Sequence, residues 1–385
     1  MHRWPVAALT AAALVVAGLG GWTLLRGQFN TRPAANVVNC PAGMQTIQVA
    51  VAPSIADAVG RAAARYTASR PVVTDHCVRV DVSAVDPQTV LTALEHGWDT
   101  GKLGMRPQAW IADSTLWTNQ LATSLLADTP QSLATSPVVL AMPPDAAKAV
   151  TSAVAPTFAA LPALLAKANG WADFGEPAWG QVTMALPNPA ANTASTLAVT
   201  AMLDPATAQG QAPVTAALLG ADPVRQNLAN LAAGPPAANT HDALLALART
   251  GGIHGAPFSA VPVLEVDLYH RNLGGDGDPK PVNVLDEVRP HGPTPYADFP
   301  FVPLSSNGLT SDQVAAAQQF RDFLRTPGEQ AWFASAGLRV ASSTAHPDSS
   351  PGMDWGNAAE GPSPTDAASY QQLVAAWTAA GQPSK

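Results

Sequence analysis

Charge is scarce in this sequence: Asp, Glu, Lys and Arg make up 12% of its 385 residues, with a formal net charge of −8. No basic run occurs anywhere, which argues against a nucleic-acid partner. His241, His254, His270 and His291 lack the close spacing of a metal site and read as surface or loop residues. Gly274–Asp278 has the look of a calcium loop but lacks the later ligands and the bidentate Glu, so a polar surface loop is expected. There is no G-x-S-x-G elbow, no P-loop and no H-E-x-x-H motif. No nucleophile–base pair stands out, so neither an enzyme nor a cofactor is expected, and no internal repeat is visible.

What is present is apolar. Hydrophobic residues reach 47%, enough for a full core. The length allows two lobes or one large α/β domain. The many Ala and Pro residues read as compositional bias, which weakens helix assignments built on Ala alone.

The first 30 residues stand apart. Arg3 is followed by an uncharged stretch from Trp4 to Leu25 and then by Arg26. A secretory h-region runs to about 7–15 residues, whereas a spanning helix needs about 20. The length favours an uncleaved signal anchor over a secretory signal peptide, and residues 31–43 read as a linker. Arg3 is balanced by Arg26 and Arg32, so charge leaves the orientation open. The two cysteines, Cys40 and Cys77, read as one disulfide in an exported protein. Val37-Val38-Asn39 before Cys40 is no lipobox.

From Thr46 short apolar runs alternate with helical segments. Thr46–Ala50 reads as a strand, and Pro53-Ser54 opens a helix with Ile55, Val59 and Tyr66 on its apolar side. Ser54 with Asp57 three residues on looks like a capping box. Val78, Val80 and Val82 alternate as in a strand, and Asp86-Pro87 opens the next helix. Ala109–Ala112 is a further strand, and Ser114 caps a helix carrying Trp117 and Leu121. This rhythm predicts a parallel sheet with helices on both faces. Val138–Ala141 suits a central strand. Then come helices around Phe158–Lys167, strands at Gln181–Leu186, Ser259–Leu264 and Phe299–Leu304, an extended wrap over Ser342–Pro364, and a last amphipathic helix with Tyr370, Leu373, Val374 and Trp377.

The order of these segments resembles the type II periplasmic binding-protein fold, and within it the molybdate-binding-like and actinobacterial solute-binding proteins often fused to a von Willebrand factor A domain. The residues that carry the similarity are Ile47–Ser54, Trp110–Trp117, Ala134–Ala141, Leu186–Ser195, Val263–Glu265 and Tyr296–Leu304, closed by Ala315–Leu324, Gly328–Phe333 and Gly337–Arg339. The chain departs from the fused members in having no Asp-x-Ser-x-Ser signature, and no von Willebrand domain is expected.

The resemblance implies an α/β fold of two lobes with a hinge and an interlobe cleft. Two crossings between lobes place lobe I at about 44–135 plus 303–385 and lobe II at about 137–300. Ligands in open α/β sheets bind outside the carboxyl ends of strands, which here is the cleft. Helix N-termini there supply free N–H groups suited to an anion. Ser54, Ser114 and Thr193 stand at strand-to-helix junctions, Ser136 at the hinge and Ser195 one turn into its helix. Glu265 follows a strand and is the expected charged contact, its charge disfavouring a simple oxyanion. Trp110, Trp117, Trp171 or Trp179 is a candidate stacking wall for a sugar, with core packing the alternative. The expected function is capture of an anion, polyol or sugar by a monomer outside the cytoplasm, for delivery to an ABC permease. The alternative is a membrane-tethered envelope sensor or scaffold acting through a protein partner.

Overall fold

A computed structural model describes residues 40–203, 214–305, 308–356, 359–360 and 366–381. The N-terminal segment expected to be a signal anchor or signal peptide lies outside the described residues. Cys40 and Cys77 form the expected disulfide, with Cα atoms 5.3 Å apart.

Two sheets organise the chain. The first holds β1 (Met44–Val51), β2 (Val72–Val73), β3 (His76–Ala84), β4 (Ala109–Ile111), β5 (Gln131–Ser132) and β11 (Pro300–Pro303), in the order β2-β3-β1-β4-β11-β5. In β1 Ile47, Val49 and Val51 are fully buried and join one core with the helix Pro53–Ala68. Ile55, Val59 and Tyr66 point inward from that helix, as its apolar spacing predicts.

The second sheet is built on β6 (Ser136–Met142), flanked by β7 (Val261–Leu264), β8 (Asp286–Val288) and β10 (Tyr296–Ala297). Every residue of β6 is buried, as a continuous apolar strand requires. The helix Thr193–Leu203 packs against β6 and β7 and is buried along its whole length.

The parallel sheet expected from the first β-α repeats is present, but it does not extend to the later strands. β1 runs parallel to β3 and β4, but β11 opposes β4, and β7, β8 and β10 all oppose β6. The cause is the double crossing. β6 leaves the first lobe while β10 returns toward it, so Ser136 lies opposite Ala297 and Pro137 opposite Tyr296. Apolar periodicity identifies a strand but carries no direction. The strand expected at Gln181–Leu186 is reduced to one bridge, Met184 to Ala260. Gly180 turns the chain with φ 77° on one side, and Pro187 has no amide donor on the other. The helices expected around Phe158–Lys167 are both short, a 3-10 turn, Phe158–Ala160, running into the helix Leu161–Leu165.

The hinge is fastened at Arg339. Its backbone pairs with Thr135 at 2.7 and 2.9 Å, and its guanidinium grips Glu265 with two bonds of 2.7 and 2.6 Å. Beyond it the extended tail runs along the second sheet. Glu287 N donates to Gly352 O (2.7 Å), Arg289 Nη1 to Gly356 O (2.6 Å), and β12 (Ala359–Glu360) pairs with β9 (Pro293–Thr294). The final helix, Ala367–Ala380, touches both lobes. It packs on the helix Asp222–Ala232, while Tyr370 meets Trp117 edge-on at 5.6 Å and its hydroxyl donates to Ala190 O (2.8 Å).

Candidate functional site: the cleft between the lobes

A cavity of about 520 Å³ lies between the two lobes, within the range of roughly 300–1,000 Å³ usual for small-molecule sites. Four helix starts converge on it: Pro53-Ser54 and Asp86-Pro87 from the first lobe, Asn192-Thr193 and Asn239-Thr240 from the second. The helix Glu265–Leu273 adds Asp267 and His270, and the loop after it adds Gly275 and Asp276. Asp113, just past the end of β4, closes the floor.

Hydrogen bonds tie the lobes across this floor. Trp117 Nε1 donates to Thr193 Oγ1 (2.7 Å), and the Thr193 hydroxyl donates to Asp113 Oδ1 (2.8 Å). Burial pushes the Asp113 carboxyl up to about 7, against the Thr193 bond, and the nearby Asp267 adds to the rise. Burial likewise raises Asp267; the Ser54 hydroxyl from the opposite lobe is the group that most opposes the rise.

The expected contacts divide. Ser54 and Thr193 line the cavity. Ser54 is not the cap of its helix: Ala52 holds that position with no side-chain bond, because Pro53 occupies the first helical turn. That frees the Ser54 hydroxyl to face Asp267. The other four expected contacts are not among the lining residues. Ser114 is fully buried and caps the helix Thr115–Thr118 through a 3.1 Å bond from Leu116 N. Ser136 accepts from Val266 N (3.1 Å), which satisfies the start of the helix Glu265–Leu273. Ser195 is fully buried within its helix. Glu265 is fully buried in the hinge, held by Arg339 and Arg289.

Apart from Asp57 and Asp86 at the helix starts, the charge in the cleft comes from residues not expected there. Asp113 stands one residue before Ser114, and Asp267 two residues after Glu265. Asp276 belongs to the Gly-Asp loop read as plain surface. His241 and His270, expected on surface loops, face the cavity too; His241 Nε2 lies 2.7 Å from Asp278 Oδ2, and Asp276 is held by Arg271 Nη1 at 2.8 Å. The available signal was Asn239-Thr240, which repeats the Asn192-Thr193 pattern at a helix start. Among the described residues no tryptophan lines the cavity. Trp171 is fully buried against Phe174 and Trp179, and Trp110 is also core. Among the described residues no group of three or more His, Cys, Asp or Glu is placed to hold a metal ion.

The helix starts are less open to an anion than their number suggests. Asn192 Oδ1 accepts from Ser195 N (2.9 Å) and Asn239 Oδ1 from Asp242 N (2.8 Å), so both second-lobe helices use their own side chains as caps.

Comparison with known proteins agrees with this architecture. In two strains of Mycobacterium tuberculosis an uncharacterized protein is 34% identical over 355 residues, covering 90% of this chain and 50% of the relative. The chain thus spans about half the length of the curated relatives it matches. A periplasmic binding protein of Actinobacillus pleuropneumoniae with fructose-6-phosphate bound superposes with a TM-score of 0.54 at 12% identity, over 88% of this chain and 98% of its own. A periplasmic thiamin binding protein gives a TM-score of 0.54 at 12% identity, over 88% and 97%. Both likenesses are of fold, the two-lobed periplasmic binding-protein fold. The family model for bacterial extracellular solute-binding proteins matches residues 47–339. On that match, which takes in both sheets, the hinge and every element lining the cleft, the chain belongs to the bacterial extracellular solute-binding protein family.

Proposed function

We propose that this chain captures a small polar solute in the interlobe cavity by hinge closure and passes it to an ABC permease, without catalysis. The observation that carries the reading is the cavity itself. It is lined from both lobes, and polar contacts reach across it from Trp117 to Thr193 to Asp113 and from Ser54 to Asp267. A solute touching both walls favours the closed state by its differential contacts there. Ser54 and Thr193 are the hydroxyl contacts of this proposal. The N-terminal apolar segment would keep the protein at the outer face of the membrane; a mature N-terminus near Ala35 in mass spectrometry of the native protein would remove the tether.

The test is a thermal-shift panel of oxyanions, sugars, polyols and amino acids, with thiamin and fructose-6-phosphate included. A bound solute stabilises by RT ln(1 + [L]/Kd), and solution scattering should show compaction with the same compound. A panel without any shift, together with stable co-purification of a membrane protein, would favour the envelope-scaffold reading. One observation supports that second reading: the tail beyond residue 339, outside the family match, braces both lobes through Tyr370.

A further inference from the structure

Four carboxylates are buried among the described residues: Asp113, Glu265, Glu287 and Glu329. Three of them sit against arginines. Glu265 is held by Arg339 and Arg289, Glu287 by Arg289, and Glu329 by Arg65. Asp113 has no such partner among the described residues; its bond is to the neutral hydroxyl of Thr193. Asp267, half-buried on the facing wall, is likewise without an arginine or lysine and has Ser54 beside it. An unpaired carboxylate in a dry site is costly. Among the four buried carboxylates, only the one in the cleft lacks an arginine.

The rest of the lining has the same character. Among the described residues neither Lys nor Arg lines the cavity, and neither does Phe, Tyr or Trp. With no lysine or arginine in the lining, an oxyanion meets carboxylates, the imidazoles of His241 and His270, and partial helix charges; His241 is already held by Asp278, and two of the four helix starts are capped by asparagines. With no aromatic ring, the cage that recognises a quaternary ammonium is missing. What the walls offer is mostly acceptors: the carboxylates of Asp113 and Asp267, with those of Asp57, Asp86 and Asp276 around them, and the amide and hydroxyl oxygens of Asn192, Asn239 and Thr240.

Resting on the solute-capture reading, we propose that the ligand is a small organic cation bearing N–H donors, an amine or guanidine, whose charge lies between Asp113 and Asp267. The cation supplies the counter-charge that arginine supplies to the buried glutamates. The raised affinity of Asp113 and Asp267 for protons has the same origin, so a proton and the ligand compete for one site. The other titratable groups facing these two are Asp57, Asp86, Asp276, His241 and His270. Protonation of any of them reduces the negative charge of the cleft, so cation affinity falls as pH drops from 8 to 5.

Calorimetry on the 385-residue chain at pH 8 decides the matter. The probes are putrescine, agmatine, arginine and glucosamine, set against choline, sulfate, molybdate, xylitol and calcium chloride. At least one N–H cation should bind, weaken tenfold or more at pH 5, and weaken tenfold or more in Asp113→Asn and in Asp267→Asn. Thermal unfolding of each variant shows whether it is folded. Binding of sulfate, molybdate or xylitol without any amine would overturn the cation assignment and leave solute capture standing. Tight calcium binding lost in Asp113→Asn would replace the organic cation by a metal. Silence from every probe, with no compaction in scattering, would count against both readings.

Discussion

Replacing Asp113 by asparagine removes one charge from the floor of the cleft and should make the protein more stable, not less. The Thr193 hydroxyl donates to Asp113 Oδ1, and an asparagine carbonyl accepts the same bond. What changes is the cost of ionising a carboxyl that is 9% exposed and has no arginine. Burial raises its pKa from 3.8 to about 7. At 1.36 kcal/mol per unit, the ionised form costs the folded state about 4 kcal/mol relative to the unfolded chain. The sign follows from linkage. A folded-state pKa above the unfolded one means the folded protein holds the proton longer. The cost is therefore absent below pH 4, grows between pH 4 and 7, and is complete above 7. Urea unfolding followed by tryptophan fluorescence, for both proteins at pH 4 and pH 8, isolates the effect as a difference. Asp113→Asn should gain little at pH 4 and about 2–4 kcal/mol at pH 8. An equal gain at both values, or a loss at pH 8, would refute the account of Asp113 as an uncompensated buried charge.

Glu265→Ala leaves Arg339 and Arg289 at the hinge without their shared partner, and denaturant unfolding should show a loss of about 2–4 kcal/mol. A change below about 0.5 kcal/mol would mean the network is solvated. Tyr370→Phe deletes the bond to Ala190 O, next to the cavity wall at Ala191. The stability cost is about 1 kcal/mol, and hydrogen exchange around residues 188–192 should rise; unchanged exchange there would mean the final helix does not hold this loop. The Cys40→Ser, Cys77→Ser variant opens a link between residues 37 apart in sequence and should lower stability by about 2–4 kcal/mol, read as a drop in Tm under non-reducing conditions. An unchanged Tm would show that the bridge contributes nothing to the fold.

The two-lobed fold was legible because its signals are local. Strand alternation at Val78–Val82, the Asp86-Pro87 helix start and the buried run at Val138–Ala141 each depend on a few neighbouring residues. Strand direction was not, since β6 and β10 oppose each other only through a crossing more than a hundred residues long. The lining of the candidate site was legible only in part, for a similar reason. Ser54 and Thr193 sit where junction logic puts them, but the same logic also selected Ser114 and Ser136, whose hydroxyls serve helix N–H groups. Glu265 follows its strand as a ligand contact should, yet its counter-charges, Arg289 and Arg339, are distant in sequence and claim it for the hinge. Asp267 lies one half-turn further on, and only the packed helix shows that it, and not Glu265, faces the cavity.

The central claim is that one solute is held between the lobes by residues of both. A crystal structure grown with the compound that gives the largest thermal shift tests this directly. The predicted result is density in the cavity of about 520 Å³, touching Asp113 from the first lobe and Thr193 and Asp267 from the second. A compound that stabilises the protein while bound elsewhere, with only water between these residues, would contradict it.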